Sequence, residues 1–211
     1  VKNKNNNEED SDRLQGTSGG FEDDTFRHLL AEKRIILVNS HIADNMIERV
    51  VIPIIQMNEM DDEAEADKMI NYNRKENPIR IFINTAGGTV SETLACVSAI
   101  EASETPIYTY AMGKAYSGGF FLLLAGHQRF CQKYSTLMYH QIQTGLPHGD
   151  MQTTKEHVEE TMRLQDMLNH FVLSRTKIKP KQLATINDKK VDWYLGAEEA
   201  FRYGVIDGLY Y

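Results

Sequence analysis

The sequence predicts an α/β fold, a right-handed succession of strand, turn and helix on a largely parallel sheet. Three observations carry that expectation. Ile79-Arg80-Ile81-Phe82-Ile83-Asn84 is a β-branched, apolar run, closed by Thr85-Ala86-Gly87-Gly88-Thr89 and followed by helix spacing over residues 90–103, with Leu94, Val97 and Ile100 on one side. The same rhythm returns in a strand over 107–112, a small-residue turn over 113–119 and an apolar helix start over 120–126. Residues 153–174 then form the longest helix, with Val158, Met162, Gln165, Leu168 and Val172 along one stripe and Leu164, Met167 and Phe171 along the next. That apolar face is broad for a surface helix and predicts burial against something, another subunit included.

The other elements follow in chain order. Residues 1–20 are polar, with Asn5-Asn6-Asn7 and Gly19-Gly20, and bury too little to offset their own ordering entropy. They read as a flexible tail, and residues 21–211 as one domain. Phe26, Leu29 and Leu30 make a short helical face, and Arg34-Ile35-Ile36-Leu37-Val38 a buried strand. Residues 42–58 have helix spacing with Pro53 in the middle, where a proline breaks the backbone ladder. The acidic stretch 59–77 extends that helix or forms an exposed excursion before Pro78. Short strands are expected over 130–134 and 136–139, a short helix over 180–186, and a last helix over 197–203 with Gly204 as its C-terminal cap.

Composition narrows the function classes. The 211 residues are 41% hydrophobic and 25% charged, enough for one domain with a real core. Lys and Arg number 23 against 30 Asp and Glu, a net charge of -7, so no basic surplus exists to bind phosphate backbones and nucleic acid is not an expected partner. Two cysteines, Cys96 and Cys131, are no disulfide scaffold. The longest strongly apolar run, residues 120–125, is too short for a membrane span, and no secretory signal begins at the polar N-terminus. A cytoplasmic protein is the expectation.

Few residues offer chemistry. Ser117 sits between a strand and an apolar helix, with Ala115 before it and Gly118-Gly119 after it. Small neighbours let a substrate carbonyl approach, and the next backbone N–H lies at a helix start, where developing negative charge is favoured. The competing reading is a helix N-cap serine. Gly87-Gly88 is a plain turn or a backbone donor to an oxyanion. His140, at the end of Leu137-Met138-Tyr139, is a general base or a core histidine with a backbone partner. His28, His41, His127, His148, His157 and His170 read as surface residues, and no cluster has metal-ligand spacing. Asp192, between Val191 and Trp193-Tyr194, is expected to be part-buried with a partner, or to cap the last helix; Asp188, beside Asn187 and Lys189-Lys190, reads as solvated.

Taken in order, these segments resemble one family. Ile83-Asn84-Thr85-Ala86-Gly87-Gly88, then Gly113-Lys114-Ala115-Tyr116-Ser117-Gly118-Gly119, then Met138-Tyr139-His140-Gln141, and finally Asp192-Trp193-Tyr194-Leu195-Gly196-Ala197 with Tyr203-Gly204-Val205-Ile206-Asp207 are similar to ClpP, the proteolytic subunit of the ATP-dependent Clp protease. The resemblance implies a ClpP/crotonase-like ββα spiral head domain with a long protruding handle helix at about 153–175. It implies a serine endopeptidase with Ser117 as nucleophile, His140 as base and Asp192 as its orienting acid, and with Gly88 and Gly118 as oxyanion-hole donors. It also implies stacked seven-membered rings, a tetradecamer, fed peptides or unfolded proteins by an AAA+ unfoldase such as ClpX, ClpA or ClpC. No cofactor is bound by this chain, since ATP is used by the unfoldase.

The chain departs from the family at several positions. Gly118 stands for a methionine, which leaves the N–H available and loosens the loop. Tyr116 puts a bulky ring beside the nucleophile and narrows the substrate choice. Pro147 interrupts the segment after His140, and Arg80 replaces an aromatic of the pocket that receives the unfoldase's docking loop. Two other readings are a poorly active ring member kept for assembly and a crotonase-like acyl-CoA enzyme, which needs no Ser-His-Asp set.

Overall fold

A computed structural model describes residues 28–30, 32–67, 71–145, 149–189 and 192–211. The expected tail over 1–20 lies outside the described residues, as do Phe26, Pro147 and Val191. The strands are β1 (Ile35–Val38), β2 (Ile79–Thr85), β3 (Ile107–Tyr116), β4 (Gln128–Gln132), β5 (Thr136–Tyr139), β6 (Trp193–Gly196) and β7 (Gly208–Tyr210). The helices are α1 (Ile52–Ala66), α2 (Val90–Ala102), α3 (Gly118–Ala125), α4 (Met151–Arg175), α5 (Pro180–Lys189) and α6 (Ala197–Arg202).

The α/β expectation holds. One sheet runs β1-β2-β3-β4-β7 with every neighbour parallel; β5 joins β3 in parallel, and β6 joins β5 antiparallel. Ile79, Ile81 and Ile83, alternate residues on one face of β2, are fully buried, while Arg80 and Phe82 on the other face are half-buried. Every residue of α3 is buried, so this helix is core all round. Its C-terminal carbonyls of Leu124, Ala125 and Gly126 accept three hydrogen bonds from the Arg175 guanidinium, which ties the end of α4 to the core. No helix among the described residues is long and apolar enough to cross a membrane.

Two local problems in the sequence have physical solutions. Before Pro53 the chain makes a π-helical turn, Ile47–Val51, in which the Ile52 N–H reaches back to the Ile47 carbonyl. Pro53 then falls directly after that turn, at the point where the π-turn passes into α1. The other concerns β3. Residues 113–116 read as a turn from their small side chains, yet the strand continues through them to Tyr116. Gly113 has φ of 74°, a conformation open to glycine, and it bends the strand away from β4. Before the bend, Tyr108 to Ala111 pair with β4; after it, Lys114 to Tyr116 pair with β5. β6 and β7 are further strands that periodicity did not reveal.

The acidic stretch after Asn58 extends α1 to Ala66, and Asp61, Asp62 and Glu65 within it are partnered. Asp61, 2% exposed, takes two hydrogen bonds from Arg34, at 3.1 and 2.7 Å, and one each from Tyr72 and Thr105, at 2.5 Å. Arg74 is gripped by Asp62 and Glu65. Burial alone would raise the Asp61 carboxyl, but the bonds from Thr105, Tyr72 and Arg34 outweigh it and hold it below the ordinary value. A depressed carboxyl contributes stability that is present above its unfolded value and lost as pH falls through the folded one. Asp61→Ala strands the half-buried Arg34 guanidinium and is expected to cost about 3 kcal/mol at neutral pH in urea unfolding. The difference from the parent should shrink as the medium is acidified.

Candidate active site

The register of three strands assembles the site. β3 and β5 run parallel with Tyr116 opposite Met138, and the next residue, Ser117, donates its backbone N–H to the Met138 carbonyl at 2.8 Å. β5 and β6 run antiparallel with Tyr139 opposite Trp193. One step beyond that pair places His140 opposite Asp192. The His140 Nδ1 to Asp192 Oδ1 distance is 3.9 Å. Residues 23 and 52 positions apart along the chain are thereby gathered at one end of three strands.

Ser117 has φ of 52° and ψ of -117°, strained for a residue with a Cβ and worth about 1–3 kcal/mol. Its side chain makes no capping bond to α3, so the N-cap reading fails and the hydroxyl is not spent on the helix. The Phe120 N–H bonds the Ser117 carbonyl at 3.0 Å, which places the serine at the positive end of α3.

The glycine loop is stitched to Ile42, four residues past the end of β1. Ile42 donates to the Gly87 carbonyl at 2.9 Å and accepts from the Thr89 N–H at 3.0 Å, which leaves the Gly88 N–H outside both bonds. A Cβ on Gly88 would lie 1.9 Å from the Ile42 carbonyl oxygen, so only glycine fits. A Cβ on Gly87 would lie 2.7 Å from the Ser117 Cβ and 2.9 Å from the Gly118 nitrogen; the glycine loop and the Ser117 turn are in direct contact. The Gly118 N–H opens α3 and, like other first-turn donors, has no intrahelical partner.

Ser117, His140, Asp192, Gly88 and Gly118 all line one cleft of about 680 Å³. Phe121, Met138, Leu164 and Leu168 supply an apolar wall. Burial pushes the His140 imidazole below its ordinary value, and the Asp192 carboxylate partly opposes that. The ring is therefore neutral at neutral pH, the form that can take a proton. Among the described residues its Nδ1 is buried without a hydrogen-bond partner, an omission that costs about 1–3 kcal/mol. Approach of Asp192 by about 1 Å would make it a hydrogen bond.

Several expectations need correction. Asp192 is not part-buried: its side chain is 44% exposed, because β6 begins one residue later and only from there is the chain covered by β5. Gly118 does not loosen its loop, because Thr93 Oγ1 and Ile42 Cδ1 fill the space a side chain would take, 2.4 and 3.0 Å from the position of a Cβ. Tyr116 does not line the cleft; its ring packs edge-on against Tyr194 at 5.7 Å. His41 and His157 do line it, and only the fold reveals them, although His41 directly precedes the Ile42 that holds the glycine loop. Asp188 is exposed on α5, as its neighbours suggested.

A model of the Clp protease family matches residues 18–210. The chain belongs to the Clp protease family. Among curated relatives it is similar to ATP-dependent Clp protease proteolytic subunit 1 of Rhodopirellula baltica, 29% identical over 187 residues that cover 88% of this chain and 75% of that protein. It is also similar to ATP-dependent Clp protease proteolytic subunit 3 of a Synechococcus species, 29% identical over 180 residues, 84% of this chain and 82% of that one. On β2 of this Clp-family chain, between β1 and β3, Arg80 reaches the Lys33 carbonyl at 2.8 Å. Nearby, Phe82, Tyr110 and Phe130 stack in a row at 4.7 and 5.0 Å, with Tyr210 edge-on to Tyr110 at 5.1 Å. The aromatic character of that face survives the loss at Arg80.

Proposed function

We propose that this Clp-type protease is a serine endopeptidase acting on peptides or unfolded proteins through an acyl-enzyme. The observation that carries the reading is the strained Ser117, its hydroxyl free of any capping role, in one cleft with His140 and Asp192. Ser117 Oγ attacks the scissile carbonyl while His140 takes its proton on the nitrogen turned from Asp192. The negative oxygen of the tetrahedral intermediate is received by the N–H groups of Gly88 and Gly118. Its collapse breaks the C–N bond, and His140 returns the proton to the departing amine. Water, deprotonated by the same imidazole, then hydrolyses the Ser117 ester. Asp192 steadies the imidazolium in both steps.

The working form is an assembly of copies of this chain. Val158, Met162 and Met167 on α4, and Ile47, Ile52, Ile55 and Met60 along the π-turn and α1, are exposed apolar side chains that favour subunit packing. Two stacked heptameric rings, a tetradecamer in the cytoplasm, follow from the family resemblance. The aromatic row beside Arg80 supports docking of an AAA+ unfoldase of the ClpX, ClpA or ClpC type, which would use the ATP.

The test is labelling with a fluorophosphonate. Modification confined to Ser117, with parallel loss of hydrolysis of a fluorogenic peptide, is the expected result; a folded assembly that neither reacts nor hydrolyses would refute the reading. In that assay the acid limb of the rate profile should fall below the ordinary imidazole value of about 6.5, since the depressed His140 stays neutral to lower pH. A limb at or above that value would contradict the assigned base. The 3.9 Å gap between His140 and Asp192 favours the second reading, a poorly active ring member kept for assembly, and the same labelling separates the two.

A further inference from the structure

We infer that four interlocked side chains, Tyr139, Gln165, Asn169 and Asn187, are positioning residues that hold His140 against Asp192. The inference rests on the peptidase reading for its consequence in catalysis, but its geometry stands apart from it. Tyr139 is fully buried at the end of β5, directly before His140. Its hydroxyl lies 2.9 Å from Asn169 Oδ1 and 3.0 Å from Asn187 Oδ1, so its one proton is given to either amide. It accepts from Gln165 Nε2 at 3.3 Å. Asn169 Oδ1 also accepts from Gln165 Nε2 at 2.9 Å and from Asn187 Nδ2 at 3.1 Å. Gln165 Oε1, in turn, accepts the backbone N–H of Ile142 at 2.7 Å.

The cluster therefore grips the chain on both sides of His140, through the Tyr139 side chain before it and the Ile142 N–H after it. Gln165 and Asn169 sit one turn apart on α4. Asn187 is in the last turn of α5, five residues before Asp192. Base and acid are thus referred to the same four side chains.

An apolar side chain at 139 would pack at lower cost. Burial pushes the Tyr139 phenol up to about 12, a measure of what the site demands of a charged form there. A satisfied buried polar network specifies one arrangement where apolar packing tolerates several. His140 has no hydrogen bond of its own at Nδ1, so its position depends on how its backbone is held. The aromatic body of Tyr139 packs against Phe120 and Phe121 at 5.8 and 6.1 Å, and Tyr139→Phe keeps those contacts while deleting the hub.

The test compares the assembled protein with Tyr139→Phe and Gln165→Met, each with Asp192 intact or changed to Asn. The histidine rings carry ¹³C, and the His140 resonance is assigned from His140→Gln. In the parent, Asp192→Asn should lower the His140 titration midpoint, since the carboxylate favours the imidazolium. In either hub variant that shift should shrink or vanish. Peptide hydrolysis should lose about tenfold in kcat with KM unchanged, and show no further loss when Asp192 is already Asn. An Asp192-dependent shift of full size in both hub variants, or kcat losses that simply add, would overturn the inference. If Tyr139→Phe does not fold, Gln165→Met on the half-buried side of α4 carries the same comparison. A protein that hydrolyses no peptide but whose His140 shift depends on Tyr139 would end the peptidase reading and leave the positioning role standing.

Discussion

Ser117→Ala is expected to cut peptide hydrolysis by at least about 10⁴-fold while leaving the fold and the assembly intact. The two halves of that expectation have separate grounds. The hydroxyl makes no capping bond to α3, so its removal takes nothing from the structure. Alanine meets the same strain at φ of 52° as serine does, and the folded state gains no new penalty. Chemistry loses the atom that forms the ester, and only the cleft and the oxyanion donors remain to help water. kcat/KM on a fluorogenic peptide, with Tm and sedimentation as controls, measures both. Turnover at the parent rate would refute Ser117 as nucleophile, and a fall in Tm beyond about 2 °C would refute the claim that its hydroxyl is structurally unused.

Gly88→Ala is expected to damage stability and activity together. The added Cβ lies 1.9 Å from the Ile42 carbonyl oxygen and 2.7 Å from its carbon. Both are backbone atoms, bound in turn to the Gly87–Thr89 loop, and they cannot swing aside as a side-chain tip would. The Ile42–Gly88 bridge must open, at about 3–5 kcal/mol, or a Tm lower by roughly 6–20 °C for a domain of this size. Opening moves the Gly88 N–H away from Ser117, and loss of one such donor costs about 10²–10³ in kcat. Gly196→Ala is the control: among the described residues nothing lies within 4 Å of a Cβ placed there, and its Tm should stay close to the parent's. A Gly88→Ala protein as stable as that control would show that the loop can yield.

Legibility in the sequence followed the range of the signal. β2, α2 and α3 could be read because strand, small-residue turn and helix lie next to one another, and each carries its own periodicity. The end of β3 could not, since residues 113–116 have turn composition and become strand only when β5 pairs with them. β6 and β7 are short, and their extended form comes from partners 58 and 78 positions away in register, Leu137 for Leu195 and Cys131 for Leu209. Ser117, His140 and Asp192 were named from residue type, neighbours and family resemblance. Their convergence on one cleft is a property of register, as is the exposure of Asp192, which its apolar neighbours argued against.

The amino-acid order determined the layered α/β plan and the local settings of Ser117, His140 and the paired glycines, because propensity, turn chemistry and hydrophobic period act over a few residues. Tertiary structure alone decided the 3.9 Å between His140 and Asp192, the filling of the space at Gly118 by Thr93, the turning of Tyr116 onto Tyr194, and the closure of Tyr139 with three amides from two helices. Those are distances between segments, and they arise where strand register and helix packing bring together groups that no local pattern relates.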